Sequence, residues 1–353
     1  MSTNRTNTLY QLDSRKDRIL HAVVSDYIAT AEPIGSEWLV AHYDFGVKPA
    51  TIRSEMAEMA DLGYLKQPHV SAGRIPSDLG YRYFVDTLID VKKDFDLPSH
   101  YLLQKLADRA TLENILIHTC RILSELTSYP TIASQPDMDQ ITVRHVYLST
   151  AGSHHLVIFL LLSSGQVTHC SLNVAEIPSP SRLQEIANWL TQELCDMPFN
   201  QIANITHIEP PLRLAIFAPL ISQLKDEILS VLNRLDDNRL LLEGTNLMLR
   251  QPEFQDIRRL DAVLGLLEQG AVILQLLKRF IAGDSVSVLI GSEAAVDAVK
   301  DCSVVGAQYT IGNRPAGYLA VIGPTRMEYK KTISAVDFIA HHLSDLLTEV
   351  YLQ

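Results

Sequence analysis

The stretch that decides the fold runs from Lys48 to Ser77 and reads KPATIRSEMAEMADLGYLKQPHVSAGRIPS. Pro49 suits the first position of a helix because its missing N–H has no intrahelical partner there. The apolar side chains that follow fall on one helical face: Ile52, Met56 and Met59. The stretch therefore predicts a short amphipathic helix, followed by a segment punctuated with Gly and Pro.

The flanking residues complete the pattern of a winged helix-turn-helix. Upstream, SRKDRILHAVVSDYIATA repeats apolar residues at helical spacing, with Ser14 as the expected N-cap, and SEWLVAHYD follows as a second helix capped by Ser36. Downstream, two short extended runs flank a turn at residues 71–73, and DLGYRYFVDTLID predicts a closing helix. We assign residues 1–91 to this domain.

The third helix is the first candidate for DNA contact. A recognition helix reads base edges with its N-terminal residues, and its free N–H groups favour phosphate. Polar and cationic residues gather at that end of the helix: Lys48, Thr51, Arg53 and Ser54. The same residues also fit the solvated face of an ordinary small bundle, on which Glu55 and Glu58 would be exposed as well.

The predicted hairpin strengthens the DNA interpretation. From Leu62 to Ser77 the chain has no acidic residue, although the whole protein carries a net charge of -11. The polar residues suited to phosphate or minor-groove contact are Lys66, His69, Ser71 and Arg74. An ordinary surface hairpin usually has mixed charge, so the absence of acids is informative.

The charge of this domain limits how it can bind. Residues 1–91 contain nine Lys and Arg against twelve Asp and Glu, a net charge of -3. The basic footprint expected of a DNA-binding domain is therefore missing. Binding must depend on a narrow cationic edge and on two copies acting together.

The remaining chain predicts an α+β multidomain protein. Residues 92–104 have the composition of a linker, and ITVRHVYLST and HHLVIFLLLSSGQVTHCSLNV predict an antiparallel meander. A mostly helical middle follows, before a second β-rich block that includes SVSVLIG and GYLAVIGP and a last helix. Strands on both sides of a helical middle predict one domain, 105–172 and 257–353, that carries an insertion, 173–256.

The inserted region contains a candidate dimer surface. Apolar residues recur at heptad spacing in the set Phe217, Ile221, Leu224, Ile228, Val231 and Leu235. The seam is shorter than a coiled coil requires, and the face of a core helix has the same spacing. We favour the core interpretation, but a palindromic operator still requires a two-fold dimer.

Several classes of protein are disfavoured. No phosphate-binding GxxxxGK, GxGxxG, HExxH or GxSxG motif is present, so we expect neither an enzyme nor a cofactor. The neighbouring pairs His154–His155 and His341–His342 point in different directions on a strand and on a helix, which disfavours a metal site. No apolar run has the length of a membrane span, no secretory signal stands at the start, and the four cysteines lie far apart, as in a cytoplasmic protein.

Four stretches of the chain resemble the bacterial heat-inducible transcription repressors of the HrcA family. They are EPIGSEWLV, KPATIRSEMAEMADLGYLKQPHVSAGRIPSDLGYRYFVD, LEGTNLMLRQPEFQDI and GYLAVIGPTRMEYKKTISAVDFIA. The resemblance implies a winged helix, a GAF-like domain and an inserted dimerisation domain. It also implies a homodimer that represses chaperone operons at an inverted-repeat operator called CIRCE and that the GroEL chaperonin keeps active.

Carried over to this sequence, the resemblance makes Pro49–Leu62 the recognition helix and Tyr64–Pro76 the wing. The chain departs from the family pattern at Lys48, where Ser or Thr is commoner, and at Ser54, where Asn is commoner. Two rival hypotheses remain open from the sequence. One is a winged-helix regulator whose GAF-like domain senses a metabolite, and the other is an enzyme on the β-rich domain with ancillary DNA binding.

Overall fold

The structure, a computed structural model, describes residues 12–69, 72–89, 111–136, 142–198, 201–202, 209–237, 240–281, 283 and 285–352. The predicted linker 92–104 and the predicted contact residue Ser71 lie outside the described residues. The same holds for the side chain of Leu235.

The N-terminal unit consists of four helices and a two-stranded antiparallel hairpin. In chain order these are α1 (Ser14–Thr30), α2 (Ser36–His42), α3 (Pro49–Asp61), β1 (Leu65–Lys66), β2 (Ile75–Pro76) and α4 (Asp78–Ile89). The predicted order of helices and hairpin is confirmed, but the two predicted N-caps are wrong. Asp13 caps α1 by accepting from the backbone N–H groups of Arg15 and Lys16, and Gly35 precedes α2.

The hairpin is held to the rest of the unit by a third extended residue. Ile34 donates to Arg74 O at 2.9 Å, and Arg74 N donates back to Ile34 O at 2.8 Å. A Cβ on the neighbouring Gly73 would stand 2.3 Å from the Ile34 oxygen. Only glycine therefore allows this close approach, which explains its place in the sequence.

A five-stranded antiparallel sheet forms the centre of the second unit, with the strand order β7-β3-β10-β9-β8. Its strands are β3 (Thr131–Ser134), β7 (Leu240–Glu243), β8 (Ser287–Ile290), β9 (Cys302–Ile311) and β10 (Arg314–Pro324). Helices cover both faces: α5 (Leu112–Thr127) and α10 (Tyr329–Leu352) on one, α8 (Ile257–Leu267) and α9 (Gly270–Phe280) on the other. The result is a three-layer α/β/α arrangement.

A separate three-stranded antiparallel sheet lies between β3 and β7 in the chain. It consists of β4 (Val143–Thr150), β5 (His155–Leu162) and β6 (Val167–Asn173), and it packs on α6 (Pro180–Leu194) and α7 (Ala218–Asp237). The predicted meander is confirmed. The predicted boundaries place these strands in the main domain and residues 240–243 in the insertion. In the structure β4–β6 form a sheet of their own, whereas β7 at 240–243 pairs with β3 of the five-stranded sheet.

The predicted heptad seam faces the core of its own chain. The side chains of Ile221, Leu224, Ile228 and Val231 are all buried among the residues of the three-stranded sheet and α6, and Phe217 packs against the same cluster. The core-helix interpretation therefore describes this face. Of the described side chains of the seam, only Phe217 is partly exposed.

Among the described residues, no single helix has the length and apolar character needed to cross a membrane. The bent pair α8 and α9 satisfies the length and composition criteria only when both helices are taken together, across an angle of 82°.

Candidate nucleic-acid interface

Helix α3 presents a polar surface at its N-terminus because its apolar face is buried. Ile52, Met56 and Met59 all pack into the core, as predicted, and leave Thr51, Arg53 and Ser54 exposed. Lys48 occupies the N-cap position without a side-chain cap, and the first turn has no acidic residue. The unpaired N–H groups and the helix dipole are thus available for an anion.

The cations of the N-terminal unit divide into two groups. Of the eight Lys and Arg in residues 12–89, four are engaged inside the protein: Arg15, Lys16, Arg18 and Arg82. The other four make no ion pair or side-chain hydrogen bond with any residue that the structure describes: Lys48, Arg53, Lys66 and Arg74. These are the four cations that the sequence identifies as candidates for DNA contact.

Two of the three acidic residues of α3 are matched by cations from α1. Arg15 Nε donates to Glu55 Oε1 at 2.7 Å, and Lys16 Nζ lies 3.2 Å from Glu58 Oε2. Glu55 was expected on the exposed face, but it is buried and half of its carboxylate has no described partner. The ion pairs offset two negative charges that would otherwise repel phosphate along this helix.

Sequence reasoning missed Arg15 and Lys16, although a signal was present. Glu55 is three residues after Ile52 and four before Met59, which puts it beside the buried face of α3. A buried carboxylate requires a cationic or hydrogen-bonding partner. In the structure this partner is Arg15, at the basic start of α1.

The hairpin carries its polar residues on a short, supported tip. Lys66 and His69 are exposed and Arg74 is half-buried. Gln67 Nε2 donates to Ala72 O at 3.1 Å, which joins the two sides of the tip. The Nε atom of Arg74 is buried and has no hydrogen-bond partner among the described residues.

A partly exposed acid positions the turn that leads into α3. Asp26 of α1 accepts from Trp38 Nε1 at 2.9 Å and from Tyr43 Oη at 2.7 Å, on either side of the end of α2. Burial and the hydrogen bond to Asp26 raise the pKa of Tyr43 to about 12. Because α2 and the turn are tied to α1, the start of α3 has a defined position in the unit.

The histidine pairs lie away from this surface. His154 faces the carbonyl of Ala175 at 3.1 Å, and His341 and His342 each contact a backbone carbonyl of the preceding helical turn. Among the described residues, no group of three or more His, Cys, Asp and Glu side chains is placed to hold a metal ion.

Known proteins resemble this chain over nearly its whole length. The family model described as the HrcA protein C terminal domain matches residues 113–333. A protein of Symbiobacterium thermophilum named heat-inducible transcription repressor HrcA is 36% identical over 340 residues, which cover 95% of this chain and 98% of that protein. A protein of Brevibacillus brevis with the same name is 33% identical over 350 residues, covering 96% and 99%.

One solved structure shares the fold. A crystal structure of a hypothetical protein at 2.2 Å resolution covers 96% of this chain and 99% of its own, with a TM-score of 0.68 and 21% identity. The likeness concerns the fold alone.

Proposed function

Because the chain belongs to the HrcA family of heat-inducible transcription repressors, we propose that it represses chaperone operons in the cytoplasm by binding DNA as a homodimer. The operator is the inverted repeat CIRCE, and each protomer occupies one half of it. The observation that carries the proposal is the set of four cations around α3 and the hairpin that have no partner among the described residues.

Residues 12–89 are a winged helix in this proposal, with α3 in the major groove. Thr51, Arg53 and Ser54 face base edges, and Lys48 at the helix start neutralises phosphate. The wing, from Lys66 through His69 to Arg74, lies along the backbone or the minor groove, and Ser71 belongs to the same contact. Arg74 supports this role because its side chain is partly exposed and makes no ion pair with any residue that the structure describes.

A dimer is required by the weakness of a single unit. The net charge of -3 over residues 1–91 gives little non-specific attraction to DNA, so the counterion-release contribution to affinity is small. Two linked units on one operator bind with a high effective concentration for the second contact. Operator affinity should therefore fall steeply if the dimer dissociates.

The outer face of the three-stranded sheet is the surface that we propose for dimerisation, in place of the heptad seam. Tyr147, Phe159 and His169 form one cross-strand row, and Tyr147 and Val167 are 49% and 59% exposed. The nine outward positions in the three central rows include no Lys, Arg, Asp or Glu: His145, Tyr147, Ser149, Val157, Phe159, Leu161, Val167, His169 and Ser171. An uncharged aromatic face can pack on a copy of itself without unpaired charge.

The remaining assignments follow from the family. The five-stranded sheet with α5 and α8–α10 is the GAF-like domain, and residues 142–237 are the dimerisation domain inserted into it. GroEL keeps the repressor in its folded, binding-competent state at normal temperature. Heat occupies the chaperonin with other clients, the competent fraction falls, and the apparent operator affinity falls with it.

A mobility-shift titration on an inverted-repeat operator, with and without chaperonin, tests the proposal. We expect a single cooperative shift, a loss of binding after a heat step, and recovery when chaperonin and ATP are added. A scrambled repeat of equal length is the control. If chaperonin has no effect but a pool of small metabolites changes the affinity, the hypothesis of a metabolite sensor replaces this one.

A further inference from the structure

The start of helix α4 is bound to the second unit by a carboxylate. Asp78 Oδ2 accepts from Ser292 N at 3.0 Å and from Ser292 Oγ at 2.7 Å. The preceding residue, Gly291, has φ +51°, and a Cβ there would stand 2.6 Å from the same carboxylate oxygen. The contact therefore depends on glycine at position 291 as well as on the two polar side chains.

One turn later, a guanidinium makes the second contact of the same surface. Arg82 Nε donates to Glu293 Oε1 at 2.8 Å, and Arg82 Nη2 donates to Val288 O at 2.6 Å and contacts the other Glu293 oxygen. The two side chains are only 21% and 33% exposed. This arrangement is a paired, charge-assisted contact with restricted access to water, which is stronger than an ordinary surface ion pair.

A further polar contact joins the end of α1 to the second unit. Arg326 lies three residues before the start of α10, pairs with Glu253 and also donates to Ile28 O at 3.3 Å. Between the two contacts, the ring of Tyr81 packs on the ring of Tyr329 at 5.8 Å, and both side chains are buried. Residues from separate parts of the sequence thus hold the N-terminal unit at two points on either side of an aromatic core.

The apolar core is continuous across this junction. Side chains of α1, α3 and α4 belong to the same buried cluster as those of α5, α10 and one face of the five-stranded sheet. A unit held by apolar packing alone can rotate as its side chains repack, but directional hydrogen bonds at two points oppose rotation. The direction of α3 relative to the sheet is therefore set by the polar contacts.

We propose that the contacts of Asp78 and Arg82 with Ser292 and Glu293 determine the half-site spacing that the repressor accepts. The inference rests on the proposed function, in which two α3 helices bind one inverted repeat. In a dimer, the distance and angle between those helices follow from how each N-terminal unit is fixed to its own second unit. Two added base pairs rotate one half-site by about 70° relative to the other, and a fixed unit cannot follow that rotation.

The test uses the full-length dimer and three duplexes: the operator, the operator with two base pairs added between the half-sites, and a single half-site. The variants are Arg82→Gln, Glu293→Gln, the two combined, and Gly291→Ala, which breaks the Asp78 contact without changing charge. The measured quantity is the affinity for the operator divided by the affinity for the operator with two added base pairs. We expect this ratio to fall by about ten-fold in each variant, the size of effect expected for losing a charge-assisted contact. Half-site affinity should stay within about two-fold of the wild type.

The combined Gln variant should lose less discrimination than the sum of the two single variants, because both break the Arg82–Glu293 pair. Arg182→Gln, which breaks the Arg182–Glu185 pair on α6, is the matched control and should keep wild-type spacing discrimination. If the junction variants remain folded dimers and discriminate spacing as the wild type does, the inference is overturned and the proposed function stands. If the wild type binds none of the duplexes, both are overturned. Should Arg82→Gln fail to fold, Gly291→Ala and Glu293→Gln decide the question by the same ratio.

Discussion

The buried carboxylate of Glu55 in α3 accepts a hydrogen bond from Arg15 at the start of α1, with Nε and Oε1 2.7 Å apart. The pair has two consequences for the helix proposed to read DNA. It removes one negative charge from the field near the phosphates, and it fixes α3 against α1. The proposed recognition surface therefore depends on a residue of α3 that is itself buried.

Replacement of Arg15 by Ala should lower the free energy of unfolding by about 1 kcal/mol. The loss arises because the Glu55 carboxylate stays buried without its cation, while the half-exposed position of Arg15 limits the effect through solvent screening. Urea unfolding measures the change. Glu58→Gln, on an exposed partner of Lys16, is the control and should change stability by less than about 0.5 kcal/mol. Equal losses in the two variants would contradict the special role of Glu55.

Arg53→Ala and Arg74→Ala should weaken operator binding in different ways. If Arg53 contacts a base edge, its loss costs about 1–3 kcal/mol on the operator and relaxes the preference at one position. If Arg74 contacts phosphate, its loss weakens binding to all sequences and reduces the salt slope by about one unit. Titrations at several salt concentrations, on the operator and on unrelated DNA, separate the two effects. Arg121→Ala, in the second unit, should leave both quantities unchanged.

Gly73→Ala should damage the wing without touching any polar side chain. The added Cβ would stand 2.3 Å from Ile34 O, so the backbone pair between Ile34 and Arg74 has to open. We expect faster amide exchange at Ile34 and Arg74 and an operator affinity at least about ten-fold lower. Gly265→Ala is the matched control, since it lies inside α8 with open space around it and should stabilise the protein by up to about 1 kcal/mol. Unchanged amide exchange at Ile34 and Arg74 in Gly73→Ala would refute the close approach of residue 73 to Ile34 O.

Two tyrosines should make the N-terminal unit sensitive to alkali. Burial and hydrogen bonds to Asp26 and Asp17 raise the pKa values of Tyr43 and Tyr83 to about 12. An acid whose pKa is raised in the folded state favours its neutral form there, so its contribution to stability is complete below the unfolded pKa of about 10 and is lost as the pH rises to 12. Tyr43→Phe combined with Tyr83→Phe should therefore reduce the loss of unfolding free energy between pH 9 and pH 12. If the free energy of unfolding depends on pH identically in the variant and the wild type, the two tyrosines are excluded as the source of the alkali sensitivity.

The sequence predicts local elements well because their signals are local. The apolar period of Ile52, Met56 and Met59 and the Gly-containing turns of the meander indicate α3 and β4–β6 without any tertiary information. The division of strands between sheets depends on contacts across long stretches of chain. Leu319 of β10, for example, pairs with Ala133 of β3, and no short window of sequence contains both partners.

The heptad seam shows the same limit for a candidate site. Spacings of three and four place Leu224 and Ile228 on one face of a helix, but the period does not say what covers that face. In the structure the cover is the sheet of the same chain. The three uncharged rows on the outer face of that sheet are visible only once the register of three strands is known, because residues such as Tyr147 and His169 are far apart in sequence.

Aspartate at Phe159 or Val167 should convert the proposed dimer to a folded monomer. A carboxylate on the outer sheet face would be buried without a cation in a symmetric dimer, which costs several kcal/mol at the interface but nothing comparable in the exposed face of the monomer. Sedimentation equilibrium measures the assembly state, and thermal unfolding shows whether the fold persists. Leu224→Asp is the contrasting variant, because that side chain is fully buried in its own chain and the substitution should unfold the three-stranded sheet domain. A folded monomer from Leu224→Asp, together with an intact dimer from Phe159→Asp, would indicate that the heptad seam is the dimer interface.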